Sequence, residues 1–162
     1  MARYDSGNKS NAAGGMTDAF TTNQLQEILD TQAQEGLYLD FKRGEALALS
    51  NGSRQELVKD CTGFANANGG LILYGVAKGE VDGVPVATSL SPLVDRKVNG
   101  DWITSVIRSN TGPPLNHFEI TEPAVSGGRV IAIEIEAAST VHQNFIDRRY
   151  YQRAGRTTVS AR

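Results

Sequence analysis

The run Leu71-Ile-Leu-Tyr-Gly75-Val76 offers water almost nothing on either side of an extended backbone. Such a segment reads as a central strand buried on both faces. Upstream, Leu37 to Lys42 alternates instead, with Leu39 and Phe41 on one side and Tyr38, Asp40 and Lys42 on the other. Between the two, Leu57, Cys61, Phe64 and Ala65 form one apolar side of a helix expected over residues 54–67. Ser53, with Glu56 three residues later, has the spacing of its capping box, and Asn68-Gly69-Gly70 stops it. Two strands joined by a helix are expected to lie parallel through a right-handed crossover.

The remaining elements follow from periodicity and punctuation. Thr22 caps a helix expected to run to about Gln34 on Leu25, Ile28 and Leu29. Gly79 to Gly83 turns the chain before a short strand at Val84 to Ala87, and Ser91-Pro92 opens a helix expected to reach about Ser109. Leu115 to Glu122 and Val130 to Glu136 alternate around Ser126-Gly127-Gly128, which reads as a hairpin. A last strand covers Arg149 to Arg153 and ends at Gly155. Without the first helix and the last strand, the order is strand, helix, strand, helix, strand, strand. The fold class is α+β: a mixed sheet with two main helices, an N-terminal helix and a C-terminal strand.

Length fits one domain. Residues 1–19 lack periodicity and are expected to be a flexible tail, with Met16 as an alternative start, leaving 20–162 as the domain. No apolar run approaches the roughly 20 residues of a membrane span, and the polar start has no signal-peptide core. A single cysteine, Cys61, forms no internal disulfide, which fits a cytoplasmic protein. Net charge is -2, so this is no uniformly basic binder, yet the charge is unevenly placed. After Asp147 there are no acids, while Arg148, Arg149, Arg153, Arg156 and Arg162 follow.

Three groups carry candidate chemistry. Glu35, Asp40 and Lys42 gather two acids and a base around the first strand; such carboxylates are the material of a Mg²⁺ or Mn²⁺ site, and an Asp40–Lys42 surface pair is the plain alternative. Asn66, Asn68, Gly69, Gly70 and Gly75 offer amides to a phosphate, or simply end the helix and bridge backbone. Gly70-x4-Gly75 is followed by Val76-Ala77, not by the Gly-Lys-Ser/Thr of a nucleotide-binding loop. In the arginine-rich end, alternation groups Arg149, Tyr151 and Arg153 on one face, suited to a phosphate backbone and a stacked base, or to a charged edge strand. Lys42, Arg43, Lys78, Arg148 and Arg156 extend that surface. His117 and His142 have no second ligand at metal spacing.

These residues resemble the Schlafen AlbA_2 family. The matching motifs are Glu35-x4-Asp40-Phe41-Lys42, the helix end Gly63-Phe-Ala-Asn66, Gly69-Gly70-x4-Gly75-Val76, and Tyr151-x-Arg153-x-Gly155 followed by Thr157. The resemblance implies an Alba-like, Schlafen-core lobe that binds DNA or RNA, as in transcription regulators. It also implies an alternative, a Mg- or Mn-dependent endoribonuclease with Glu35 and Asp40 as catalytic metal ligands beside Lys42. The family's nuclease pattern has a third acid after the Gly-Val strand; Ala77 and Lys78 stand there, with Glu80 and Asp82 close by. Without nuclease activity no cofactor is expected. Schlafen lobes pair around RNA, which implies a homodimer for a lone lobe. A protein-interaction module without nucleic-acid affinity is the second alternative.

Overall fold

The computed structural model describes residues 20–160. Its centre is a mixed sheet of β1 (Leu39–Lys42), β2 (Gly70–Tyr74), β9 (Ile131–Ile135) and β6 (Phe118–Thr121), in the order β1-β2-β9-β6. β1 and β2 run parallel, and the β2–β9 and β9–β6 pairs are antiparallel. Alternation assigns its two faces. Ile72, Tyr74, Ile131 and Ile133 meet α2 (Asn51–Ala65) and α3 (Gly100–Ser109) through Leu57, Phe64, Ile103 and Ile107. Leu39, Phe41, Leu71 and Leu73 face the other way, toward Leu25 and Ile28 of α1 (Thr22–Asp30) and Ala87 of the hairpin β3 (Val76–Val81)–β4 (Val84–Leu90). With both faces covered, β2 is buried at every position, as its unbroken apolar run requires.

A second sheet, in the order β12-β11-β10-β5, is built from β5 (Thr111–Gly112), β10 (Gln143–Asn144), β11 (Arg149–Ala154) and β12 (Thr157–Ser160). One of its faces packs on α2, which therefore lies between the two sheets. A small hairpin joins β7 (Ala124–Val125) to β8 (Gly128–Arg129). The protein is α+β, and the central sheet with α2 and α3 has the anticipated order of strand, helix, strand, helix, strand, strand.

Several boundaries differ for local reasons. Ser50, not Ser53, caps α2, its hydroxyl accepting from the Ser53 amide at 3.1 Å. Ser53 instead ties down the preceding loop, donating to the Ala46 carbonyl at 2.7 Å and accepting from the Ala48 amide at 3.0 Å. The helix expected from Pro92 starts only at Gly100, because Asn99 caps it by accepting from the Trp102 amide at 3.0 Å. Leu93 exchanges two backbone hydrogen bonds with Arg129 instead. α1 ends at Asp30, not near Gln34, and the chain reverses at Gln32, whose φ is +49°. Asp82 and Gly83, both at positive φ, turn a hairpin longer than the short strand anticipated. The last strand continues into β12. The tail expected over residues 1–19 lies outside the described residues, and no described helix is long and apolar enough to cross a membrane.

A charged cleft between the first strand and the C-terminal hairpin

Because β1 lies at the edge of the central sheet, its Asp40–Lys42 side is flanked by α2 and by the β11–β12 hairpin. The result is a cleft of about 390 Å³ lined by Glu35, Asp40 and Lys42, by Glu56, Lys59 and Asp60 of α2, by Lys78 and Pro85, and by Arg153, Arg156, Thr157 and Thr158. Of the residues singled out from the sequence, it gathers Glu35, Asp40, Lys42, Lys78, Arg153 and Arg156.

The floor is a network of buried charge. Asp40 is not a solvated surface residue: it is 5% exposed. Its Oδ2 lies 3.4 Å from Arg153 Nη1 and 3.8 Å from Lys42 Nζ. Lys42 reaches on to Asp60 Oδ2 at 3.3 Å, bridging two carboxylates. Glu35 turns back over β1, its Oε2 accepting from the Phe41 amide and from Lys78 Nζ, each at 3.0 Å.

These contacts sort the protons. Burial and the neighbouring Asp40 push Glu35 from its ordinary 4.5 to about 7, against the pull of the Phe41 amide and Lys78. Burial also resists ionisation of Asp40, but the hydrogen bond from Glu35 and the charges of Lys42, Arg153 and Lys78 outweigh it and hold its pKa below the usual value. Asp60 is raised to about 6, chiefly by burial and against the attraction of Lys42. Lys42 stays protonated, its burial overcome by Asp60 and Asp40. Near neutrality Glu35 thus shares its proton with an ionised Asp40.

A stability profile follows with a definite sign. Glu35 and Asp60 have raised folded-state values, so the stability they contribute is complete below about 4 and lost as pH rises through 6 to 7. Glu35→Gln keeps a neutral hydrogen-bonding group in place. Its melting temperature should match or exceed the parent's at pH 8, and should fall less between pH 5 and pH 8. A variant that melts well below the parent at pH 8, with the parent's full pH dependence, would contradict this proton assignment.

The carboxylates do not fit a divalent ion. No group of three or more His, Cys, Asp or Glu among the described residues is arranged to hold a metal. Where a cation would approach Glu35, the Lys78 ammonium already sits. Asp60, on α2, is the nearby third acid, but Lys42 stands between it and Asp40.

The arginine-rich strand has the expected alternation with the opposite exposure. Tyr151 and Arg153 point inward onto α2, so neither is free for a stacked base or a phosphate. Arg153 is 3% exposed, donates to the carbonyls of Gly36 (2.9 and 3.1 Å) and Leu39 (3.3 Å), and lies 4.7 Å from the Phe64 ring centre. The Tyr151 hydroxyl donates to Asp147, which also accepts from Gln55 at 2.5 Å, and Lys59 lies over its ring at 5.8 Å. Arg149 is exposed beside Asp147, Arg148 stacks on Phe145 at 4.8 Å, and Arg43 is exposed outside the cleft.

Asn66, Gly69 and Gly75 serve the backbone. Asn66 ends α2, and its side chain donates to the His142 and Tyr151 carbonyls, both at 2.9 Å, and accepts from the His142 amide at 2.8 Å. Gly69 (φ +73°) ends the helix turn by donating to the Phe64 carbonyl at 2.9 Å. Gly70 is buried in β2, and Gly75 (φ +113°) breaks β2 from β3 while donating to the Lys42 carbonyl at 2.7 Å. Asn68 is exposed. His142 Nδ1 lies 2.6 Å from the Pro113 carbonyl, and His117 lies 4.0 Å from Glu136.

Sequence reasoning missed Glu56, Lys59, Asp60, Thr157 and Thr158. Asp60 had a legible signal: it sits three residues after Leu57 and four before Phe64, an acid on the core-facing stripe.

Together, the fold and the cleft define a class: a small α+β domain whose edge strand, helix and C-terminal hairpin enclose a network of paired acids and bases. The family model described as Schlafen, AlbA_2 matches residues 35–162, and the chain belongs to that family. None of the curated proteins matches it. Among solved structures it is similar to the DIP2311 protein from Corynebacterium diphtheriae (TM-score 0.57, 18% identity, 86% of this chain and 29% of that one). It is also similar to the N-terminal domain of a protein from Nitrosomonas europaea described as related to the ATP-dependent DNA helicase RecG (TM-score 0.52, 21% identity, 75% of this chain and 76% of that one). The chain thus spans under a third of the first of these, and both likenesses concern the fold.

Proposed function

We propose that this domain binds nucleic acid by its phosphate backbone, laid across the mouth of the cleft. The observation that carries this reading is the division of labour among the charges. Acids in the floor are paired or protonated, while Lys78 (40% exposed), Lys59 (29%) and the exposed Arg156 crowd the rim. Cations held at one opening with their countercharges satisfied below keep a field directed outward, which suits a polyanion. Arg153 and Lys42 act from beneath by fixing the floor. Membership in the AlbA_2 family, and the likeness to a domain of a protein described as related to a DNA helicase, support the same reading.

Fluorescence anisotropy with labelled tRNA, duplex DNA and single strands tests it, in EDTA and then with Mn²⁺ or Mg²⁺. Three phosphate contacts imply that affinity falls about 20- to 40-fold between 50 and 200 mM salt. Binding to no probe at 50 mM salt would refute the proposal. The misfit between the carboxylates and a divalent ion predicts that all probes remain intact with metal. Metal-dependent cleavage of the RNA probe, abolished by Asp40→Asn in a variant that still melts cooperatively, would instead establish an endoribonuclease.

A further inference from the structure

The β5–β10–β11–β12 sheet has a second face, turned away from α2. Gly112, Gln143 and Tyr150 are successive cross-strand partners, as are Gln152 and Val159, so their side chains share that face. Tyr150 and Val159 are 43% and 44% exposed there. Phe145 joins them: a Cβ on Gly112 would clash with the far end of its ring, which lies against the glycine. Phe145 is still 40% exposed, and Arg148 stacks over its ring at 4.8 Å.

Of eight large exposed apolar side chains among the described residues, Val141, Phe145, Ile146, Tyr150 and Val159 belong to this sheet and its loops. The strands β10, β11 and β12 carry no acid, and Asp147 between them is taken up by Tyr151 and Gln55 on the inner side. Exposed rings with an arginine and no countercharge are complementary to bases on an anionic chain. A duplex hides its base faces, whereas a single strand presents them.

We propose that this outer face is a stacking platform for single-stranded nucleic acid, with Tyr150 as the base-stacking ring and Arg148, held over Phe145, at the adjoining phosphate. The inference rests on the cleft reading for the kind of ligand, but uses the opposite side of β11. Arg156, in the turn that leaves β11 for β12, lies at the cleft rim where a strand crossing from one surface to the other would pass.

The test measures binding of the full chain to a labelled 12-nucleotide single strand and to a 12-base-pair duplex. The variants are Tyr150→Ala, Tyr150→Phe and, as a cleft control, Lys78→Gln. Tyr150→Ala should weaken single-strand binding by about tenfold, leave duplex binding unchanged, and be rescued by Tyr150→Phe. Lys78→Gln should weaken both ligands. If Lys78→Gln weakens both while Tyr150→Ala changes neither, the platform is overturned and the cleft stands. If the parent chain binds neither probe, both readings fall. A parent dimer in sedimentation that Tyr150→Ala disperses would assign the face to self-association, also overturning the platform.

Discussion

Replacing Arg153 by alanine should cost about 3–5 kcal/mol, the range for removing one partner of a buried ion pair, and lower the melting temperature by roughly 10–20 °C. Its guanidinium holds the Gly36 and Leu39 carbonyls ahead of and within β1, the Asp40 carboxylate, and the Thr158 hydroxyl on β12 at 3.4 Å. Alanine leaves those acceptors buried without their donor, and loses the contact with Phe64. Lysine restores the charge but not the planar fork that reaches Gly36, Leu39 and Asp40 together, so Arg153→Lys should recover only part of the loss. Thermal unfolding followed by circular dichroism reads both. An Arg153→Ala protein within 2–3 °C of the parent would show that the buried network does not hold the hairpin to the sheet.

Neutralising the rim should have the opposite profile, a large functional effect with little change in stability. Lys59→Gln, Lys78→Gln and Arg156→Gln together remove three rim cations, of which Lys59 is 29% and Lys78 40% exposed, and leave the contacts of Arg153 in place. The surface pair Lys59–Glu56, at 3.8 Å, contributes little, and a glutamine at 78 still offers a donor to the Glu35 carboxyl that Lys78 meets at 3.0 Å, so the triple variant should melt within a few degrees of the parent. Its affinity for nucleic acid at 100 mM salt should fall on the order of 100-fold, for every sequence alike, since phosphate contacts carry no sequence information. Unchanged affinity in a folded triple variant would place the binding surface elsewhere.

The elements that were legible in the sequence are those whose pattern is forced by burial on two faces. The apolar run of β2 and the alternation of β1 fixed a parallel pair around α2, and the family motifs in residues 35–158 pointed to the fold. Caps were less legible, because Ser50 and Ser53 are chemically equivalent and only the loop at Ala46–Ala48 decides which one caps. Asp82-Gly83 carried a hairpin signal in plain view that a reading built on Gly79 and Gly83 passed over.

For the site, spacing grouped Arg149, Tyr151 and Arg153 correctly, yet alternation does not say which face turns inward. Here the answer depends on Asp40, a buried acid that only a buried cation can satisfy, and on Asp147, which claims the Tyr151 hydroxyl. Tyr151 and Arg153 therefore became interior while Arg149 stayed exposed, and the rim was left to Lys59, Lys78 and Arg156, contributed by three separate parts of the chain. Such convergence is a property of tertiary packing and has no local pattern.

The most direct test of the cleft as a phosphate-binding surface is the salt dependence of affinity, measured for the parent and the triple rim variant on the same single-stranded and duplex probes. Log affinity should fall linearly with log salt in the parent, and removing the three rim cations should make that slope shallower by about 2 to 3. Parallel lines for the two proteins, offset or not, would contradict a phosphate-binding cleft.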